Sequence, residues 1–226
     1  MEMLRRALDR VSRFYVYKLT TDNGGAPCVH RGLLSLAICK PRIRRRAQEG
    51  DWIFGFGGKD LGDHVRLIYI AQVTKHLPNG CYFVDEGYEG RPDRIYRRDG
   101  ERFVWKQGAK YHKDGTELEH DLGKLPRYAR AVTLLSENFR YWGKKGSYDC
   151  LEQFPAVGAL LDRLGRGHRV NLSDAETCQL RDLQTSQWQK YPQNKVLGPP
   201  TQGDWSKPCN RSEGSVGCAS PKSADA

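Results

Sequence analysis

The chain has 226 residues, 38% of them hydrophobic and 10% aromatic, enough for one core of ordinary size. A formal net charge of +10, from 37 Lys and Arg against 27 Asp and Glu, favours polyanionic partners. Seven cysteines at irregular spacing do not read as a disulfide framework, Arg5, Arg6, Asp9 and Arg10 interrupt any signal-peptide core, and no apolar run approaches the ~18–20 residues of a membrane span, so a reduced cytoplasmic protein without membrane contact is expected.

Residues 1–12 read as an N-terminal arm. Phe14-Tyr15-Val16-Tyr17-Lys18-Leu19 is a predicted strand, rich in aromatic and β-branched residues. Thr21 to Pro27 is a loop, punctuated by Asn-Gly, Gly-Gly and Pro. The apolar run Leu33–Ile38 is either a buried strand or a turn of helix. Pro41 suits an early helical position, so a short helix is expected from Pro41 to Gln48, ended by Gly50. On that helix Ile43 and Ala47 face inward, and Arg42, Arg45 and Arg46 face out. Asp51–Phe56 is a second strand, Gly57–Asp63 a flexible loop, and Val65–Thr74 a third strand. Residues 78–101 read as irregular. Arg102–Lys106 and Ala131–Leu135 are further strands.

Pro155–Leu164 is a predicted helix, followed by one capped by Ser173 with Glu176 completing a capping box. From about Gln189 the composition turns to Pro, Gly, Ser, Asn and Lys, which predicts disorder. The expected organisation is a main domain over 13–150, a helical extension over 151–188 and a disordered tail over 189–226. Strands with helices set apart make the fold class α+β, around a small curved, partly barrel-like sheet with short helices.

Six positive charges fall between Arg31 and Arg46, and only Glu49 is close by to oppose them. Arginines forking onto phosphates suit nucleic acid, so Lys40, Arg42, Arg44, Arg45, Arg46 and, further on, Lys59 are candidate nucleic-acid-binding residues. The bland alternative is a solvated basic face. Trp52, Phe54 and Phe56 alternate along one strand and could stack a base, although alternating aromatics commonly pack a core. Asp22, in a glycine-rich loop, could activate a water or stabilise a cationic transition state, or simply shape its own turn. Cys39 among cations could be a nucleophile or a buried structural thiol. His112, His120 and Asp121 fall in one region, yet no CxxC or HxxxH spacing supports a metal site. No P-loop, dinucleotide fingerprint or GxSxG motif occurs, and no cofactor is expected.

Asp22, Ala26-Pro27, LAICKPRIRRRA (36–47), GDWIFGFGG (50–58) and LIYIAQVT (67–74) together resemble the nucleotide-modification-associated domains of the second type. Asp93-Arg94-Ile95-Tyr96, His112 and Leu134–Gly143 add to the resemblance, which spans roughly residues 13–145. The Gly50-Asp51-Trp52 turn after a basic helix is also similar to the PUA-like group, which includes EVE, ASCH and YTH modules. The resemblance implies DNA carrying hypermodified bases as partner, in bacteria and phages, with no obligate protein partner. It implies most directly a DNA glycosylase that excises such a base, for example a glucosylated hydroxymethylcytosine, in defence against phage. Asp22 would then be catalytic and Lys40 would hold a phosphate or form a Schiff base. Asn23, Asp51, Trp52, Phe54, Tyr96 and His112 would line the base pocket. A non-catalytic reader of modified bases, an enzyme of modified-nucleotide synthesis and an RNA-binding accessory protein are the alternatives.

Overall fold

The computed structural model describes residues 10–62, 64–112, 115–146, 149–165 and 167–202. Twelve strands lie among them: β1 (Phe14–Leu19), β2 (Cys28–His30), β3 (Leu33–Leu36), β4 (Trp52–Gly57), β5 (Leu67–Gln72), β6 (Lys75–Leu77), β7 (Tyr96–Asp99), β8 (Arg102–Trp105), β9 (Thr133–Ser136), β10 (Asn138–Tyr141), β11 (His168–Arg169) and β12 (Lys195–Val196). The helices are α1 (Pro41–Arg46), α2 (Cys81–Val84), α3 (Leu118–Leu122), α4 (Asp149–Gln153), α5 (Pro155–Arg163) and α6 (Asp174–Lys190). The class is mixed α+β, as the composition and patterning predict.

The main sheet runs β11-β1-β4-β5-β10-β12, a second runs β2-β3-β9-β6, and β7-β8 is a separate hairpin. Two strands pass from one sheet to the other together. β5 continues through Val73 and Thr74 into β6, and β9 continues through Glu137 into β10. Thr74 N–H donates to Leu135 O at 2.8 Å, and Glu137 N–H donates to Thr74 Oγ1 at 3.0 Å, which joins the two bends. The sheets therefore curl around a shared core without closing into a barrel.

Strand alternation divides the main sheet into two faces. Tyr15, Tyr17, Leu19, Ile53, Tyr69 and Ala71 face the second sheet and join its core. Phe14, Val16, Phe54, Phe56, Leu67 and Ile70 face the opposite way. Val157, Leu160 and Leu161 of α5 cover that second face, with Leu180 and Leu183 of α6. Gly55 faces the first core at a position where a Cβ would lie 2.2 Å from the Tyr69 ring, so only glycine lets Tyr69 reach across to Tyr17. Their hydroxyls meet at 2.9 Å.

Several expectations change here. The helices of the expected extension pack the outer face of the main sheet. Residues 78–101 are not irregular throughout: they hold α2 and all of β7. Residues 189–202 do not lack structure, since α6 runs to Lys190 and β12 pairs with β10. The capping box on α6 is as predicted, with Ser173 Oγ accepting from Glu176 N–H and Glu176 accepting from Ser173 N–H. The expectations for residues 1–9 and 203–226 lie outside the described residues. Among the described residues no helix is long and apolar enough to cross a membrane.

Candidate active site

After β3 the chain turns sharply into α1. Cys39 and Lys40 make that turn with φ of 54° and 43°, a left-handed conformation that L side chains adopt with strain. Cys39 is half-buried, and its Sγ lies 3.6 Å from His112 Nε2. His112, in the loop that follows β8, also has positive φ, at 52°. Its Nδ1 lies 2.8 Å from Asp121 Oδ2 on α3. Tyr96 at the head of β7 donates its hydroxyl to the same Asp121 oxygen at 2.9 Å. Cys39 N–H donates to Asp121 Oδ1 at 2.8 Å, so the carboxylate holds both the His112 imidazole and the Cys39 backbone. Three strained non-glycine residues therefore meet at one point. Backbone strain of that kind persists where the surroundings over-determine it, and it concentrates at functional sites.

Arg44 fixes this arrangement from beneath. Its side chain is fully buried and its guanidinium donates to the backbone carbonyls of Cys39, Asp121, Arg130 and Val132. The carbonyls of the thiol residue and of the acid residue are thus tied to one rigid group. Burial works against a charged His112, but hydrogen bonds to Asp121 and Cys39, with the charges of both, override it and raise its pKa to about 10. Burial likewise disfavours a charged Asp121, and the hydrogen bond and charge of His112, with the charge of Arg44, nevertheless hold its pKa below the usual range. The Tyr96 hydroxyl is pushed up, by burial first and then by the Asp121 charge. At neutral pH the imidazole is therefore charged. Thiol, imidazole and carboxylate follow one another at hydrogen-bonding distance, the order needed for nucleophile, acid–base and orienting group.

The other expected site residues are placed as follows. Tyr96 and His112 belong to this cluster, but they bond Asp121 and each other rather than lining an open base pocket. Asp22 is 1% exposed. It accepts from the Tyr141 hydroxyl at 2.6 Å and from the Thr201 N–H and hydroxyl at 2.8 Å each. The segment after β12 thus seals it. Asn23 is buried beside it, accepting from Gly25 N–H at 3.1 Å. Asp51 is a turn-closing residue: fully buried, it accepts from Arg10, Arg13 N–H and Gln48 N–H. Phe54 lies in the core under α5 and α6, and Trp52 packs edge-on against Trp188 at 5.1 Å, so this aromatic row faces helices rather than a base.

Of the basic residues, Arg44 is removed from any surface role by its burial. Arg42, Arg45 and Arg46 are exposed on α1, as the helical spacing predicts. Lys40 lays its ammonium 5.2 Å above the Tyr17 ring. Lys59 is exposed at the far end of β4 from Gly50, ~20 Å away for a six-residue strand, and does not join the α1 arginines. The sequence reading grouped His112 with Asp121 only as weak metal candidates and did not pair them with Cys39.

The profile of nucleotide modification associated domain 2 matches residues 11–206. The chain belongs to that family. The nucleotide modification associated domain takes in the helices after residue 150 and the strap over Asp22, further than the resemblance read from the sequence. No curated protein and no solved structure matches the chain.

Proposed function

We propose that this protein is a cysteine-dependent enzyme that acts on an acyl substituent of a modified nucleotide, with Cys39 as nucleophile. The observation that carries the reading is the Cys39–His112–Asp121 array, built on three strained backbone positions. The Cys39 thiolate attacks the carbonyl carbon of the substituent, and a thioester forms as the C–N or C–O bond to the leaving group breaks. The leaving group takes its proton from the His112 imidazolium. Water, or an amine on the accepting molecule, then attacks the thioester and gives its proton to His112, which restores the thiolate. Asp121 keeps the imidazole in place and stabilises its charge. Family membership supports nucleotides as the substrate class, and the +10 charge supports a polyanion. Modified DNA, and with it a role against phages that carry such bases, is the form of substrate we favour.

Base excision through Asp22 fits this geometry less well. Its carboxylate is buried and turned to Tyr141 and Thr201, whereas a group that stabilises a sugar cation must face the sugar. One experiment separates the two. Protein is incubated with hypermodified phage DNA or with the nucleotides obtained from it, quenched in acid and weighed intact. The expected result is a hydroxylamine-labile adduct, absent from Cys39→Ser. In the resting protein, iodoacetamide should alkylate Cys39 ~10-fold faster than the exposed Cys81 and Cys178, and His112→Gln should remove the difference. No adduct, together with a Cys39 no more reactive than Cys81, would remove the thiol from the mechanism. Abasic sites formed by Cys39→Ser but not by Asp22→Asn would restore excision.

A further inference from the structure

A second feature lies along α1 from the thiol. The exposed face of α1 forms one wall of a cleft of about 570 Å³, and β11 with the residues after it forms the other. Arg42, Arg45 and Arg46 face His168, Arg169 and Asn171 across it, and no carboxylate lines it. Arg45, Arg46 and Arg169 have no acidic partner among the described residues, so their charge is not spent within the fold. Arg45, Arg46 and Arg169 around one cavity would repel one another, and an anion between them relieves that repulsion.

Both walls are held in place before any ligand arrives. Ile43 and Arg44 anchor α1 from its buried side. β11 pairs with β1 through Val16 and Arg169 and through Tyr17 and His168. The His168 ring rests against Tyr15 at 5.9 Å. Burial first, and then the charges of Arg46, Arg42, Arg169 and Lys40, lower the His168 pKa, so the imidazole stays neutral and can donate or accept a hydrogen bond. The cleft lies a short way along the chain from the thiol. Arg42 is three residues from Cys39, and Tyr17, paired with His168, carries the Lys40 ammonium over its ring.

We propose that this cleft binds the phosphate of the nucleotide whose substituent is presented to Cys39, which rests on the reading of Cys39 given above. Guanidinium forks from both walls hold the phosphate oxygens, and a cleft of this size takes one nucleotide unit. The phosphate can come from a polynucleotide backbone or from a free nucleoside monophosphate.

The test uses the full chain carrying Cys39→Ser, so that binding is measured without turnover. Its probes are a short single-stranded oligodeoxynucleotide and deoxycytidine monophosphate, titrated over a range of salt. Arg46→Ala with Arg169→Ala takes one charge from each wall, and Arg97→Ala with Arg98→Ala removes the same charge from exposed positions on β7. The cleft pair should weaken oligonucleotide binding ~10-fold or more and lower the slope of log affinity against log salt by about 1.4, two single-strand phosphate contacts. The β7 pair should change neither by much. Parallel loss of deoxycytidine monophosphate binding identifies a free nucleotide as ligand; its absence assigns the cleft to the backbone. Equal losses in the two pairs, or none in the cleft pair while its melting curve is unaltered, overturn the proposal. A thioester that fails to form while cleft-dependent binding persists overturns only the thiol chemistry.

Discussion

Arg44 and Arg45 are neighbours in a run of arginines and have opposite fates. Arg44 is fully buried, and its guanidinium holds four backbone carbonyls around the thiol turn. Arg45 stands in solvent on the cleft wall. Arg44→Ala leaves those four carbonyls without their partner in a place water does not reach, and should destabilise by about 3–5 kcal/mol. Arg45→Ala should stay within about 0.5 kcal/mol. Urea unfolding of the two variants checks the contrast, and equal losses would mean that the Arg44 side chain is not held by the fold. Helical spacing was enough to point Arg45 outwards. It could not show which carbonyls Arg44 meets, because three of the four come from residues 77 to 88 positions further along the chain.

The strap that follows β12 is a small element with a large effect on how Asp22 is read. Thr201 meets one carboxylate oxygen through both its amide and its hydroxyl, while Tyr141 takes the other. Arg66 donates to Thr201 at 3.0 Å, and Lys144 N–H donates to Pro199 O at 2.8 Å, so the strap is fixed along its length. Asp22→Asn and Thr201→Val should each lower stability by about 1–2 kcal/mol. Together they should lose less than the sum, because both break the same contact. Strict additivity in denaturant titrations would show that the contact does not form in solution. In the sequence the strap sits in a Pro- and Gly-rich stretch that resembles disordered tails. Only its pairing with β10 and Asp22 orders it, and those partners are far away along the chain.

At the scale of the whole molecule, the candidate site depends on ionisation that folding imposes. His112 is held charged up to about 10, against about 6.5 for a free imidazole. A raised pKa means that folding favours the protonated form. The resulting stabilisation is complete below about 6.5 and disappears as the pH rises through about 10. Melting temperature should therefore fall more steeply in the wild type than in His112→Gln between about pH 6.5 and about pH 10. Parallel curves in differential scanning calorimetry would show that the His112–Asp121 pair does not stabilise the fold.

The sequence by itself determined the mixed class, the position of β1, the short basic helix with three arginines facing out, and the capping box on α6. These follow from local rules: side-chain period, turn residues and end caps act over a few neighbours. The tertiary structure decided the chemistry. Cys39 and His112 are 73 residues apart, and Cys39 and Asp121 are 82. Nothing local joins them; they meet because β3, α1, α3 and the loop after β8 pack around Arg44. The same packing turned Trp52 and Phe54 towards helices and closed Asp22 under the strap. It also brought Arg169 to face α1 across the cleft. A charge or a thiol can be read from one position, but what it can react with depends on which distant segment the fold sets beside it.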